Sequence, residues 1–316
     1  MKLLSFLLFL NLGANSALAT VKLALNWKPE PQFGGFYQAQ IDKAFAAQGL
    51  PDVEILEGGS GTPTVQMLAN DRVDYAIVSA EEILTNNSRN PDHAVVALFA
   101  VFQTNPQVLL CRPEVKGKNL SEIFNQNITI SWQAGLTYAL YLKNKFHPTT
   151  PQFVPYLGGL SSYLQRDQFC QQGFATSEPL LAENAGKPGH VFLVSQEGFN
   201  PYTTVVATTL KNWRSNPTEV GHFVAAVRQG WTAYLQSPQN ANAKMSGLNK
   251  SMERPLMDKS SNVQKKLIEA ETGELGTMNS TRWQDLIHQL EELKVIKPGL
   301  KAADQFLEQV AKTVTK

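Results

Sequence analysis

Val21-Lys22-Leu23-Ala24-Leu25, Val53-Glu54-Ile55-Leu56 and Asp74-Tyr75-Ala76-Ile77-Val78 are three short β-rich runs, and the stretches between them read as helices. The first helix is expected over 37–48, closed by Gly49, and the second over 62–70, opened by the cap and first-turn pair Thr62-Pro63. This β-α-β-α-β order predicts a parallel sheet with helical crossovers. Downstream, 94–102 is a long apolar run fit for a buried strand, and 107–111 restarts the strand pattern. A lobe boundary is therefore placed near 104–106. A second alternation follows: strand 128–131, helix 132–146, strand 153–156, helix 161–171, strand 173–176, helix 178–185 and strand 191–194. Residues 203–208 read as one more strand, and from Pro217 the chain turns helical, over 217–236, 240–248, 262–271, 281–293 and 303–314. The economical arrangement returns the chain to the first lobe near 201–208. Lobe 1 is then 20–105 plus 206–316 and lobe 2 is 106–205, with two connections and a cleft between them.

Ahead of the first strand, Lys2 precedes an apolar run over 3–12, and Ala17-Leu18-Ala19 has the small-residue spacing of a signal-peptidase site. Residues 1–19 are thus expected to be a signal peptide whose removal leaves Thr20 first. The run falls short of the roughly 20 apolar residues a membrane span needs, and no Cys follows it to carry a lipid. A periplasmic or otherwise secreted, soluble protein is expected. Charge is balanced, with 28 basic and 27 acidic residues in the chain, which leaves no footprint for nucleic acid or an anionic membrane. Cys111 and Cys170 are the two cysteines. In an oxidising compartment they either pair or remain two separate buried thiols.

Ligands of open α/β sheets bind beyond the carboxyl ends of the strands, so the strand-to-helix loops are the candidate site. The first is Asn26-Trp27-Lys28-Pro29-Glu30-Pro31-Gln32-Phe33-Gly34-Gly35-Phe36-Tyr37. Its prolines stiffen it, Gly34 and Gly35 permit close backbone approach, and Trp27, Phe33, Phe36 and Tyr37 offer flat faces that either stack on a ring or close the core. The second, residues 57–63, presents Ser60, Gly61 and Thr62, which either leave backbone N–H groups for an anion or carbonyl oxygen or simply cap the helix. In the third, Glu81 at a strand end either accepts from a ligand amine or favours its own helix N-terminus. Trp132 and Glu178 hold the same strand-turn-helix position in the second unit, and Tyr202 sits where the second interlobe connection is expected.

Catalytic constellations are weak in the sequence. His93, His147, His190, His222 and His288 fall into no metal-ligand spacing, neither Cys lies in a CxxC, and there is no G-x-S-x-G elbow or G-x-G-x-x-G fingerprint. No cofactor, no metal site and no enzyme activity is expected. An exported enzyme using Glu178 with Glu81 or Glu82 as an acid–base pair is the alternative from another class, and a sensor on the same fold is a third reading.

The run Leu25-Asn26-Trp27 through Gly34-Gly35-Phe36-Tyr37, then Gly59-Ser60-Gly61, Val65-Gln66-Met67-Leu68-Ala69 and Asp74-Tyr75-Ala76-Ile77, resembles the periplasmic binding proteins of the alkanesulfonate, nitrate and thiamine-pyrimidine group. The stretches Gly173-Phe174-Ala175-Thr176-Ser177-Glu178-Pro179 and 200–209 are similar to motifs of the same group, and the likeness covers roughly 21–235. It implies a type II periplasmic-binding-protein fold: two α/β lobes joined by two crossovers, with a helical C-terminal part. It also implies a small-molecule ligand, a monomer and a membrane permease of an ABC transporter as partner. By likeness to the thiamine-pyrimidine receptors, Trp27 and Tyr37 are expected to stack on a pyrimidine and Glu178 to bond its amine, with Asn26 and Glu81 beside them. A sulfonate, nitrate or other small solute is the alternative. The related thiamine-pyrimidine synthase consumes its own active-site His and carries a Cys-rich motif. Here Phe33 stands where that loop carries the His, and there is no Cys cluster, which argues against synthase activity.

Overall fold

The computed structural model describes residues 20–269, 275–308 and 310. The leader segment expected at 1–19 lies outside the described residues, as do the ends of the helices expected over 262–271 and 303–314. The strands are β1 (Val21–Ala24), β2 (Val53–Leu56), β3 (Tyr75–Val78), β4 (Val95–Phe102), β5 (Gln107–Cys111), β6 (Thr129–Trp132), β7 (Gln152–Pro155), β8 (Phe169–Phe174), β9 (His190–Leu193) and β10 (Thr203–Thr209). The helices are α1 (Gly34–Ile41), α2 (Ala44–Ala47), α3 (Thr64–Ala69), α4 (Ala80–Arg89), α5 (Leu120–Phe124), α6 (Thr137–Lys145), α7 (Ser161–Gln165), α8 (Glu178–Asn184), α9 (Leu210–Ser215), α10 (Pro217–Gln236), α11 (Gln239–Leu248), α12 (Arg254–Ile268) and α13 (Ser280–Glu292).

Among the described residues these strands form two five-stranded sheets, ordered β2-β1-β3-β10-β4 and β7-β6-β8-β5-β9. In the first, β1, β2 and β3 are parallel, and β10 enters antiparallel between β3 and β4. Every residue of β3, β4 and β10 is buried, as a sheet covered by helices on both faces requires. The second sheet has β6, β7 and β8 parallel, with β5 antiparallel to β8 and β9. This is the two-lobed α/β fold implied by the resemblance. Pairing with the first sheet already begins at Thr203, against Phe102, so residues 203–205, assigned to lobe 2 above, belong to the first sheet.

Three local expectations change. The helix expected over 37–48 starts earlier, at Gly34, and breaks after Asp42, where Lys43 takes a left-handed φ of 55°. Trp132 ends β6 instead of opening a helix, and α6 begins only after a turn at Gly135, φ 83°. The helix expected over 161–171 stops at Gln165, because 169–174 forms β8 in the middle of the second sheet. Within β8, Cys170 stands opposite Cys111 of β5, and the two form a disulfide that closes a sequence separation of 59 residues.

The C-terminal helices return to the first lobe, as the strand order demands. Helix α10 packs on α1 and α2, α11 on α1, and α13 on α4. Helix α12 also reaches the second lobe: Ser260 Oγ donates to Thr176 O (2.5 Å) and Lys259 pairs with Glu183 (2.6 Å).

The chain crosses between lobes after β4 and before β10, and one side chain from α13 joins both crossings. Arg282 donates from Nη1 to Gln103 O (2.5 Å) in the first crossing, and from Nε to Asn200 O (2.6 Å) and Nη2 to Pro201 O (3.0 Å) in the second. Its guanidinium lies 3.9 Å from the Tyr202 ring centroid. The crossings also touch directly, Asn105 N donating to Asn200 Oδ1 at 2.8 Å. Three backbone carbonyls thus depend on one planar fork of donors, an arrangement Lys does not reproduce.

Two measurements check this architecture. Reduction of the Cys111–Cys170 bond should lower unfolding stability by about 2–5 kcal/mol in chemical denaturation, since an open 59-residue loop restores chain entropy to the unfolded state. Arg282→Ala leaves partly buried carbonyls unpaired at both crossings and should cost about 2–4 kcal/mol; hydrogen exchange should show the lost protection concentrated at 103–105 and 199–203.

Candidate functional site

A cleft of about 370 Å³ opens between the two sheets. Its first wall is built by loops at the ends of β1, β2 and β3 and by the start of β10: Asn26, Trp27, Glu30, Gln32, Gly59, Gly61, Thr62, Ser79, Glu81, Glu82, Thr203 and Thr204. The second wall comes from the loops after β6, β7 and β8 and includes Gln133, Tyr138, Tyr156, Gln172, Phe174, Ser177 and Glu178. These are the carboxyl ends of parallel strands, where helix N-termini also point.

Six of the eleven residues singled out in the sequence line the cleft: Asn26, Trp27, Gly61, Thr62, Glu81 and Glu178. Ser60 sits at its rim, where Gln133 Nε2 donates to Ser60 Oγ across the two lobes (3.0 Å). Gln133 is itself held by Gln172, which donates to Gln133 Oε1 at 3.1 Å. The other four stand in packing positions. Gly35 makes room for a side chain of α10, since a Cβ there would fall 2.2 Å from the Trp231 ring; the neighbouring Gly34 does the same for Tyr234. Tyr37 is buried in the core cluster of α1 and α10. Trp132 stacks on Phe153 at 4.9 Å inside the second lobe. Tyr202 lies under Arg282, and its hydroxyl accepts from Asn279 N at 3.1 Å. In each case a partner distant in sequence claims the aromatic face or the space beside the glycine.

Sequence reasoning missed Glu30, Gln32, Tyr156, Gln172 and Phe174 as wall residues. Glu30 was within the first loop but was overshadowed by its aromatics. Tyr156 carried the strand-end position that flagged other loops, followed here by Leu157-Gly158-Gly159.

Among the described residues the walls carry four carboxylates, Glu30, Glu81, Glu82 and Glu178, and no Lys, Arg or His joins them in the lining. Glu178 Oε2 accepts from Phe174 N (2.7 Å) and Oε1 from the Tyr156 hydroxyl (3.3 Å), with Gly173 packed so closely that a Cβ would lie 2.9 Å from Glu178 Cβ. Burial pushes the Glu178 carboxyl above the ordinary carboxylate range. Burial and then the neighbouring Glu178 push Glu30 to about 8, against hydrogen bonds from Ser177 and Trp27 that favour its ionised form. Burial likewise pushes Glu81 to about 8, against hydrogen bonds from its own backbone N–H and from Ser79, with Glu82 adding to the rise. Glu82 serves the fold, because its Oε2 accepts from Ser79 N (2.8 Å) and Ser79 Oγ (3.0 Å) in the capping box of α4. The Tyr138 and Tyr156 hydroxyls are held far above their usual range by burial and by the charge of Glu178. Among the described residues no cluster of ligating side chains is arranged for a metal ion.

The sequence matches the family described as NMT1/THI5 like over residues 30–241. The chain belongs to that family. Residues of both lobes fall within the match, including every cleft carboxylate. Among curated proteins, this NMT1/THI5-like chain is 23% identical over 251 residues to the riboflavin-binding protein RibY of Chloroflexus aurantiacus, an alignment covering 72% of this chain and 66% of RibY, just under two thirds of that relative's length. Among solved structures it is similar in fold to the aliphatic sulphonate binding protein SsuA of Escherichia coli, with a TM-score of 0.71 at 10% identity, covering 91% of this chain and 92% of SsuA. It is also similar to the ligand binding component of an ABC-type import system from Staphylococcus aureus, with a TM-score of 0.70 at 13% identity, covering 94% and 99% of the two chains.

The raised carboxyls give a pH dependence with a definite sign. A carboxyl at about 8 in the folded state and 4.5 unfolded keeps its proton where the unfolded chain has lost it. Stability therefore falls as pH rises from 4.5 to 8. Glu81→Gln removes one such penalty: the variant should exceed the wild type by roughly 3 kcal/mol at pH 7, with the difference vanishing near pH 4.5 in denaturation series at both values.

Proposed function

We propose that this protein is the solute-binding component of an ABC importer, exported and acting as a soluble monomer, that captures a small amine-bearing heteroaromatic solute, foremost a thiamine-pyrimidine precursor. The observation that carries this reading is the composition of the cleft: aromatic faces from Trp27, Phe174, Tyr138 and Tyr156 and four carboxylates, with no cationic side chain among the described lining residues. Such a lining offers surfaces for a ring and acceptors for its N–H groups. It weighs against sulfonate or nitrate, which would face buried acids with no counter-charge. The fold shared with the ligand binding component of an import system supports transport, and the position of the cleft supports its mechanism: a ligand touching both walls binds the closed state better and shifts the lobes toward it. A membrane permease then reads the closed form.

A flavin is the second reading, favoured by the riboflavin-binding relative. Glu178 with Glu81 or Glu82 as an acid–base pair across the cleft is the enzymatic rival, and it requires a product to be recovered.

Thermal-shift and calorimetric titration against thiamine pyrimidines, thiamine, riboflavin, alkanesulfonates and nitrate test this. A pyrimidine should bind one to one and be recovered unchanged; at 100 times its Kd it should stabilise the fold by about 2.7 kcal/mol. Trp27→Ala should weaken it by about 10- to 100-fold, the worth of one stacked ring. Binding of sulfonate or nitrate in preference to any ring compound would refute the assignment.

A further inference from the structure

The four cleft carboxylates are not equivalent. Both oxygens of Glu178 are engaged, by Phe174 N and the Tyr156 hydroxyl. Glu82 is committed to the cap of α4 through two bonds from Ser79. Ser177 and Trp27 attend Glu30. Its own backbone N–H and Ser79 attend the Glu81 carboxyl as well, but its Oε2 is buried with no hydrogen-bond partner, on a residue that is 6% exposed and lines the cleft. Two further cleft atoms share that condition, Gln32 Oε1 and Thr203 Oγ1.

Topology groups these open positions on the first lobe. Strand β10 runs antiparallel to β3 with Val205 opposite Val78, and the ladder is extended by Ala80 N donating to Tyr202 O at 3.0 Å. This register sets Thr203 beside the start of α4, where Glu81 is the second residue. Gln32 arrives from the turn Pro31–Phe33, at the end of the loop after β1, the neighbour of β3 in the sheet. A buried acceptor without a donor is costly, and two of the three open atoms, the Glu81 oxygen once its carboxyl has given up its proton and the Gln32 amide oxygen, then only accept from a ligand. An alkylammonium carries three N–H donors and a positive charge, which is the complement of this set.

We propose that Glu81 is the specificity-determining residue of the cleft, receiving a protonated amine of the ligand on Oε2 with Gln32 Oε1 and Thr203 Oγ1 as its co-partners, so that the protein selects organic cations over their neutral isosteres. This rests on the cleft being the ligand site, as proposed above, and deepens it by fixing the charge of the ligand. The amine docks on the first lobe, and the second lobe, through Phe174, Tyr156 and Glu178, closes over the remainder. The raised proton affinity of Glu81 supports the same assignment, since an incoming ammonium replaces the proton that the buried acid otherwise holds.

The test is calorimetric titration of wild type, Glu81→Gln and Glu81→Asp with two isosteric pairs: a thiamine pyrimidine bearing 5-aminomethyl or 5-hydroxymethyl, and benzylamine or benzyl alcohol. Wild type should favour the amine of a pair by about tenfold or more, the worth of a charged hydrogen bond. Glu81→Gln should abolish that preference while binding the neutral member within a few-fold of wild type, and Glu81→Asp should retain its direction. Amine binding should also release protons, seen as a dependence of the binding heat on buffer ionisation that is lost in Glu81→Gln. A Glu81-dependent preference in the benzyl pair without pyrimidine binding would sustain this assignment and remove the pyrimidine reading. A preference that survives in Glu81→Gln, preference for the neutral members, or no amine binding in either pair would overturn it.

Discussion

Strand β10 enters the first sheet between β3 and β4, antiparallel to both, and much of the molecule follows from that placement. A strand arriving there from the second lobe makes a second crossing obligatory, and the crossing must run beside the first because β4 and β10 are paired neighbours. Two adjacent crossings make a hinge where one would make a tether. The same placement explains why α13 can join both crossings with the single guanidinium of Arg282, and why the chain after β10 is left on the first lobe, where α10 and α11 cover α1. The cleft is the space left where the carboxyl ends of the parallel strands of both sheets face each other.

Within that space the structure keeps features that stability alone would not retain. Glu30 and Glu81 are buried at the expense of their charged forms, and the donors near each only partly offset the loss. A fold settles such groups by pairing them with cations; here Lys28 acts on Glu30 as the smallest of its influences, while Lys143 lies over Phe153, Lys145 on Glu197, Arg112 on Glu114 and Arg282 at the hinge. Both acids nonetheless stay raised, the kind of perturbation by desolvation that marks a functional-site candidate.

The architecture was legible in the sequence because strand length and the order of periodicities are local properties. The alternation over 21–78, the first crossing near 104–106 and the return of the helical tail could all be read from runs, caps and turns. The site was legible only as a set of loops. Whether an aromatic on such a loop faces ligand or core depends on what occupies its other side, and that partner is remote. Tyr37 and Gly35 were candidates until α10, some 200 residues later, placed Trp231 and Tyr234 against α1. Trp132 was claimed by Phe153 and Tyr202 by Arg282. The misread at 161–171 has the same origin, for Gln165 and Cys170 differ little in propensity, and it is the pairing of Cys170 with Cys111 that makes the latter half a strand. Glu30 was hidden for the opposite reason: nothing local distinguishes a loop Glu in solvent from one enclosed when a second lobe covers it.

Fold and lining answer two questions that a shared architecture tends to merge. Similarity at about 10% identity to a sulphonate-binding protein shows that the two backbones share a fold. It is silent on ligand charge, which is decided by a handful of side chains at strand ends that the fold leaves free to vary. Here those positions are acids, amides and aromatic rings; Glu82 caps α4, and Glu178, the first residue of α8, turns back onto Phe174 N at the end of β8. With Ser79 N and Phe174 N already satisfied from within, the buried cleft atoms left open include Glu81 Oε2, Gln32 Oε1 and Thr203 Oγ1, of which the ionised carboxylate and the amide oxygen are matched only by a group that brings hydrogen.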